Sequence, residues 1–226
     1  MKRFYKDVSI ADGAILLDSR PVKTPARASL AAPTAALAEA IAEEWRAQGD
    51  MIDPRAMPMT GLANAAIDRV APDPAAFRRP LAAYAETDLL CYRASEPPDL
   101  VAEEEAAWDP LLNWARGRYD VHFVTTAGIV HTPQPAATVA RLDEALAGRD
   151  AFALAALSPL ITIGGSLVAA LALADGTIGA EAAFDTTHLD ELWQARQWGE
   201  DTLATTAREA RRRDFLAAAR FLGLLA

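Results

Sequence analysis

Residues 151–174 constrain the fold of this chain more than any other segment, because they carry no charged side chain. A run of this length is long enough to span a bilayer. Pro159, Gly164 and Gly165 interrupt it, however, and no excess of basic residues at one end would set its orientation in a membrane. The run therefore predicts two short helices, hinged between Pro159 and Ser166 and buried in a helical core.

The overall composition is that of an ordinary globular protein, with 52% apolar and 23% charged residues among 226. A net charge of −9 argues against nucleic acid as a partner and against adsorption to an anionic membrane, since both need a basic surface. The single cysteine, Cys91, excludes an internal disulfide and favours a reducing compartment. Residues 1–7 lack the features of a signal or transit peptide, so we expect a cytoplasmic protein without membrane insertion.

The N-terminal thirty residues follow a strand pattern. Asp12-Gly13 separates two apolar runs, which is a strong hairpin signal, and residues 22–24 can add a third short strand. The next segment repeats apolar residues every four positions, at Leu37, Ile41 and Trp45. This spacing predicts an amphipathic helix with Thr34 as its N-cap.

From residue 56 onward the chain is predicted to be helical almost throughout. Asp109-Pro110 predicts either a kink or a new helix capped by Asp109. Residues 121–126, rich in β-branched side chains, predict a short hairpin with Ile129-Val130. The fold class is therefore α+β, with a small β-containing domain at 1–55 followed by a larger, mostly α-helical domain at 56–226.

A search for catalytic motifs finds no glycine-rich nucleotide fingerprint, phosphate loop, zinc-protease motif or nucleophile elbow. The best enzyme candidate is the set Asp185, His188 and Glu191, which can offer a metal ion nitrogen and oxygen ligands. The same segment also fits a helix start, with Thr187 as the cap and Asp190 three residues later. Because a helix start explains the pattern without an ion, we expect no metal, no cofactor and no catalytic residue.

The motif Trp198-Gly199-Glu200-Asp201 is unusual within a helical region. Glycine weakens a helix by about 1 kcal/mol relative to alanine, so Gly199 marks a helix end or a bend. Glu200 or Asp201 can then cap the next helix, but capping does not need both carboxylates. Tryptophan beside charged residues is also typical of binding hot spots, so Glu200 is predicted to be either a cap or a partner contact.

Several segments together resemble the F(1)-sector assembly chaperones of ATP synthase, which bind the α subunit of the catalytic head. The matching segments, which keep their order over nearly the whole chain, are Arg3–Lys6 (RFYK), Leu17–Pro25 (LDSRPVKTP), Ala42–Gln48 (AEEWRAQ), Met57–Thr60 (MPMT), Glu86–Arg93 (ETDLLCYR), Trp108–Leu112 (WDPLL) and Trp198–Asp201 (WGED). The family occurs in mitochondria and in some bacteria. The alanine-rich composition and the missing transit peptide make this chain look like a bacterial member.

The resemblance implies a chaperone that covers the surface of the free α subunit until the β subunit displaces it. It implies a monomer with no enzymatic activity and no cofactor. The partner contacts that it implies are Glu200, Trp198, Asp201, Glu191, Gln194 and Arg93.

Two other functions stay open at this point. A small metal-dependent hydrolase that uses Asp185, His188 and Glu191 would carry stoichiometric zinc or manganese. A peripheral membrane protein that uses residues 151–174 would sediment with liposomes.

Overall fold

The computed structural model describes residues 1–226. The chain forms two compact units, the first comprising residues 1–77, 150–156 and 217–226 and the second comprising residues 78–149 and 157–216. The first unit holds a three-stranded sheet, and the second is mostly helical. The predicted α+β class is confirmed. The domain boundary after residue 55 stays a prediction.

The N-terminal sheet is antiparallel, with β1 (Val8–Ala11), β2 (Ala14–Leu17) and β3 (Arg20–Pro21) in sequence order. Asp12 and Gly13 form the first turn with φ values of 50° and 76°, as a tight hairpin turn requires. The third strand begins earlier than predicted. Asp18 and Ser19 also adopt positive φ, so the chain reverses at once and Arg20 pairs with Leu17.

Helix α1 (Ala35–Arg46) begins as predicted, because the Thr34 hydroxyl accepts a hydrogen bond from the Leu37 N–H at 3.1 Å. Its apolar face is buried in the core of the first unit. Trp45 lies edge-on to the Tyr5 ring at 5.7 Å, and the Tyr5 hydroxyl donates to the Trp45 carbonyl at 2.6 Å. The N-terminal segment is therefore fixed to the end of α1.

The other helices are α2 (Pro58–Ala65), α3 (Pro74–Ala82), α4 (Pro98–Tyr119), α5 (Ala136–Ala147), α6 (Ala151–Gly164), α7 (Leu167–Ala174), α8 (Ala180–Thr187), α9 (Leu189–Trp198) and α10 (Thr202–Gly223). Helix α4 continues through Pro110, so no new helix starts there. The Asp109 carboxylate does not cap a helix, because it pairs with Arg93 at 2.6 Å.

The predicted hairpin between residues 121 and 130 is wrong. Thr126–Ala127 (β5) instead pairs in parallel with Tyr92–Arg93 (β4). The Gly128 N–H donates to the Arg93 carbonyl at 2.8 Å and extends this pairing. The partner strand thus comes from a distant part of the sequence.

The uncharged run forms two helices, α6 and α7, as predicted. Pro159 lies inside α6, and the break comes at Gly165, whose φ of 67° suits glycine, and at Ser166. The Ser166 hydroxyl caps α7 by accepting from the Ala169 N–H at 3.0 Å. No helix in the structure combines the length and the apolar character needed to cross a membrane.

The first turn of α7 has a second cap from far away in the sequence. The fully buried Asp88 carboxylate accepts from the Val168 N–H at 2.9 Å and from the Leu90 N–H at 3.1 Å. In addition, the Leu89 N–H donates to the Gly165 carbonyl at 3.0 Å. Burial raises the pKa of Asp88 to about 6, although these donors favour its ionised form.

Candidate functional site

The connection between α9 and α10 is a sharp corner at residues 199–201. Helix α9 ends at Trp198, and Gly199 adopts a φ of 90°, a conformation that other residues rarely take. The Asp201 carboxylate then accepts from the Ala204 N–H at 2.8 Å. Asp201 is therefore the N-cap of α10.

Glu200 does not cap the helix. Its carboxylate accepts from the Thr205 hydroxyl at 2.7 Å and from the Arg208 guanidinium at 3.0 Å. The hydrogen bond from Thr205, together with the charge of Arg208, lowers the pKa of Glu200, so the side chain is anionic at neutral pH. It remains largely exposed to solvent.

Arg208 links Glu200 to α9. This arginine is buried, and its guanidinium also lies 3.6 Å from the Glu191 carboxylate. Glu191 is paired with Arg211 as well. The arrangement joins the first turn of α9 to the first half of α10 through charged hydrogen bonds and fixes where the Glu200 carboxylate points.

Two large apolar side chains close to Glu200 in the sequence are also exposed. Trp198 is 75% exposed and Leu203 is 81% exposed. Trp198 leans edge-on against the buried Trp193 ring at 5.7 Å, so its position is defined although its outer face is open. We name Glu191, Gln194, Trp198, Glu200, Asp201 and Leu203 the corner surface.

Of the two remaining predicted contact residues, Gln194 belongs to the corner surface and Arg93 does not. Gln194 is exposed on α9 and makes no side-chain hydrogen bond. Arg93 lies on β4, with its guanidinium 2.6 Å from Asp109 and 5.1 Å from the centre of the Trp108 ring. Arg93 forms no ion pair with the carboxylates of the corner surface.

The three residues considered as metal ligands are not brought together. Asp185, His188 and Glu191 form no group that could hold a metal ion. The His188 ring stacks on Phe184 at 3.9 Å, and its Nδ1–H donates to the Phe184 carbonyl at 2.9 Å. Burial lowers the pKa of His188, so the ring is neutral. These contacts give His188 a packing role.

Thr187 is not the cap of α9, which corrects the sequence prediction. It is the last residue of α8, and its hydroxyl donates to the carbonyls of Ala183 and Phe184 at 3.0 Å. Helix α9 begins only at Leu189. The polar residues of this segment therefore belong to a helix end followed directly by a helix start.

A pair of carboxyl groups lies where α4 meets α9. Glu104 is 1% exposed, and one of its oxygens accepts from the Ala94 N–H at 2.8 Å. The other oxygen is buried without a hydrogen-bond partner, as is one oxygen of the neighbouring Asp190 carboxyl. Burial, reinforced by Asp190, raises the pKa of Glu104 to about 7. Glu104 is therefore protonated more readily than an exposed glutamate.

Comparison with known proteins identifies the family of this chain. A model of the family described as ATP12 chaperone protein matches residues 2–116, which is half of the chain. The chain belongs to the ATP12 chaperone family.

Solved structures agree over the full length of this ATP12-family protein. Atp12 from Paracoccus denitrificans is 40% identical with a TM-score of 0.94, and the match covers 100% of this chain and 98% of that chain. An aspartate-to-lysine mutant of the Paracoccus protein gives the same values. Atu1473, a candidate chaperone from Agrobacterium tumefaciens, is 42% identical with a TM-score of 0.94, covering 100% of this chain and 86% of that chain.

Sequence reasoning did not single out two members of the site region, Arg208 and Leu203. Arg208 stands close to a run of arginines that looks solvent-exposed in the sequence, yet it is buried between two carboxylates. Its spacing of eight residues from Glu200 is a weak signal. Leu203 occupies the first turn of α10 and points into solvent, so periodicity alone could have marked it as an exposed apolar residue.

The carboxyl pair predicts how the stability of this ATP12-family protein depends on pH. The pKa of Glu104 is about 7 in the folded chain, against an ordinary value of 4.5. The contribution of protonated Glu104 to the free energy of unfolding is therefore fully present below pH 4.5 and is lost as the pH rises to about 7. We expect the melting temperature of the wild type to fall more steeply with rising pH than that of Glu104→Gln, whose amide does not titrate.

Thermal melts of both proteins from about pH 5 to about pH 8 test this linkage. Asp88, whose pKa is also raised, makes the melting temperature fall with rising pH in both proteins. Only the difference between the two curves therefore reports on Glu104. Parallel curves would show that Glu104 carries no shifted proton.

Proposed function

We propose that this chaperone binds the free α subunit of the ATP synthase catalytic head and covers its β-facing surface until the β subunit displaces it. Membership in the ATP12 chaperone family and the likeness to Atp12 of Paracoccus support the chaperone role. A free subunit exposes an apolar patch that invites aggregation before assembly. Covering such a patch requires a complementary surface and no chemistry.

The observation that supports this proposal most is the composition of the corner surface. The anionic carboxylate of Glu200 belongs to the same short segment as two exposed apolar side chains, Trp198 and Leu203. Monomeric proteins seldom leave a tryptophan this open beside a leucine, and tryptophan is enriched among residues that dominate binding energy. We infer that Trp198 is the apolar anchor and that Glu200 meets a cationic group of the partner.

The remaining contacts have supporting roles in this proposal. Gln194 presents an amide on the exposed face of α9, and Glu191 adds a second carboxylate held by arginines. Asp201 shapes the corner by capping α10. Arg93 contributes a separate cationic contact on β4. Polar contacts that exchange readily suit a chaperone that must later be displaced.

In this proposal the protein is a cytoplasmic monomer that has no enzymatic activity and needs no cofactor. No observation favours the metal-dependent hydrolase, because its three residues are engaged in packing and ion pairs. The β subunit then binds the same surface of the α subunit and displaces the chaperone.

Capture of purified α subunit by the immobilised protein tests this function. We expect a complex with the wild type and release of α when β is added. Trp198→Ala should reduce capture by about tenfold or more, as loss of a hot-spot aromatic does. The matched control is Met51→Ala, which truncates an exposed apolar side chain in the first unit and should leave capture unchanged. Failure of the folded wild type to capture α, or equal capture by Trp198→Ala, would contradict the proposal.

A further inference from the structure

The first unit contains a groove of about 510 Å³ that the proposed function does not use. Its apolar walls come from Phe4, Leu17, Val22 and Trp45. These residues belong to the N-terminal segment, β2, the chain after β3, and α1. Three of the segments quoted in the sequence analysis therefore converge on one concave surface.

Phe4 forms the exposed wall of this groove. Its neighbours have internal roles: the Arg3 guanidinium donates to the Gln48 carbonyl at 2.6 Å, and Tyr5 is buried against Trp45. Phe4 itself is 64% exposed and touches Tyr5 only edge-on, at 5.5 Å between ring centres. An aromatic ring in this position is available to a partner.

The rim of the groove carries two cationic side chains and one carboxylate. Arg20 and Lys23 are exposed, and neither forms an ion pair. The carboxylate at the rim, Asp18, accepts hydrogen bonds from the backbone N–H groups of Lys6 and Asp7 at 3.0 and 2.9 Å. The charge of Arg20 also acts on Asp18, and with Lys23 the rim keeps an excess of positive charge.

We propose that this groove docks a short acidic segment of a partner protein, with an apolar side chain of that segment seated between Phe4 and Trp45. Arg20 and Lys23 pair with its carboxylates by charge complementarity. A protein segment is favoured over an extended polyanion, because the net charge of −9 repels a long anionic chain while a short segment meets only the local cations. This surface uses none of the residues of the corner surface, so the inference stands apart from the proposed function.

Nuclear magnetic resonance titration of the full chain tests the groove with three synthetic peptides. The first carries a leucine pair flanked by glutamates, the second replaces the glutamates by lysines, and the third replaces the leucines by serines. The Trp45 side chain lines the groove, so the signal of its indole N–H reports on binding there. We expect saturable shifts of this signal with the first peptide and none with the other two.

Charge reversal at the rim should weaken binding of the first peptide by about tenfold or more, as loss of two complementary charges does at moderate salt. The variant is Arg20→Glu with Lys23→Glu, and the matched control is Arg55→Glu with Arg69→Glu, which makes the same charge change at exposed positions outside the groove. Phe4→Ser serves as a second variant, since an exposed side chain can be replaced without unfolding the protein. Equal binding of all three peptides, or unchanged affinity in both groove variants, would overturn the proposal.

Discussion

Trp45→Arg is expected to destabilise the folded protein by about 3–5 kcal/mol or to prevent folding altogether. Trp45 is only 9% exposed and belongs to the core of the first unit. An arginine there would leave a cavity where the indole packed and would bring a charge with no acceptor into an apolar site. Tyr5 would lose its edge-on ring contact at the same time.

Chemical denaturation followed by circular dichroism, together with the soluble fraction on expression, measures this loss. Ala47→Arg is the matched control, because it introduces the same side chain two residues later at an exposed helix end. A cation near the C-terminus of a helix is favourable, so the control should keep the stability of the wild type. A soluble Trp45→Arg protein with an unchanged melting temperature would contradict the buried role of this indole.

Glu200→Lys is expected to reduce capture of the α subunit by about a hundredfold, on the scale of losing one charge contact and gaining a repulsive one. The carboxylate is anionic, exposed and not needed as a helix cap, since Asp201 caps α10. Charge reversal would place an ammonium group beside Arg208, which keeps Glu191 as its partner. We therefore expect the circular dichroism spectrum and the melting temperature to stay close to those of the wild type.

Two further variants separate charge at the contact from general charge effects. Glu209→Lys makes the same change on an exposed position of the same helix and should capture α normally. Glu200→Gln removes the charge but keeps an amide for Thr205 and Arg208, and should fall between the wild type and the lysine variant. Unchanged capture by Glu200→Lys, or failure of capture only through unfolding, would assign Glu200 a structural role.

The elements that the sequence predicted well are those set by neighbouring residues. The Asp12-Gly13 turn needs only two residues with positive φ, and α1 needs only a hydroxyl at Thr34 and an apolar repeat. The parallel pairing of Tyr92 with Thr126 could not be predicted in this way, because nothing local in either segment specifies its partner.

Part of the corner surface could also be predicted, because neighbouring residues specify it. Gly199 indicated a helix end, and the acidic pair after it indicated a cap. Which acid caps depends on where the carboxylates reach, and Glu200 is drawn away from the helix end by Thr205 and by the buried Arg208. The error at Thr187 arose because a hydroxyl that could cap a new helix can also donate to the carbonyls one turn earlier in the preceding helix.

The capping of α7 by Asp88 bears on the order in which the second unit folds. The acceptor and its Val168 amide are separated by 80 residues, so this bond closes only after a long loop of chain has been brought together. Until then the most apolar segment of the protein has an incomplete helix start, and Asp88 stays hydrated. A fragment that stops at the end of the family match, residue 116, would contain the cap without its helix. Neither of the two pieces made by dividing the chaperone at that point could form this contact. Before it has folded completely, the chaperone therefore exposes the kind of apolar surface that it is proposed to cover on another protein.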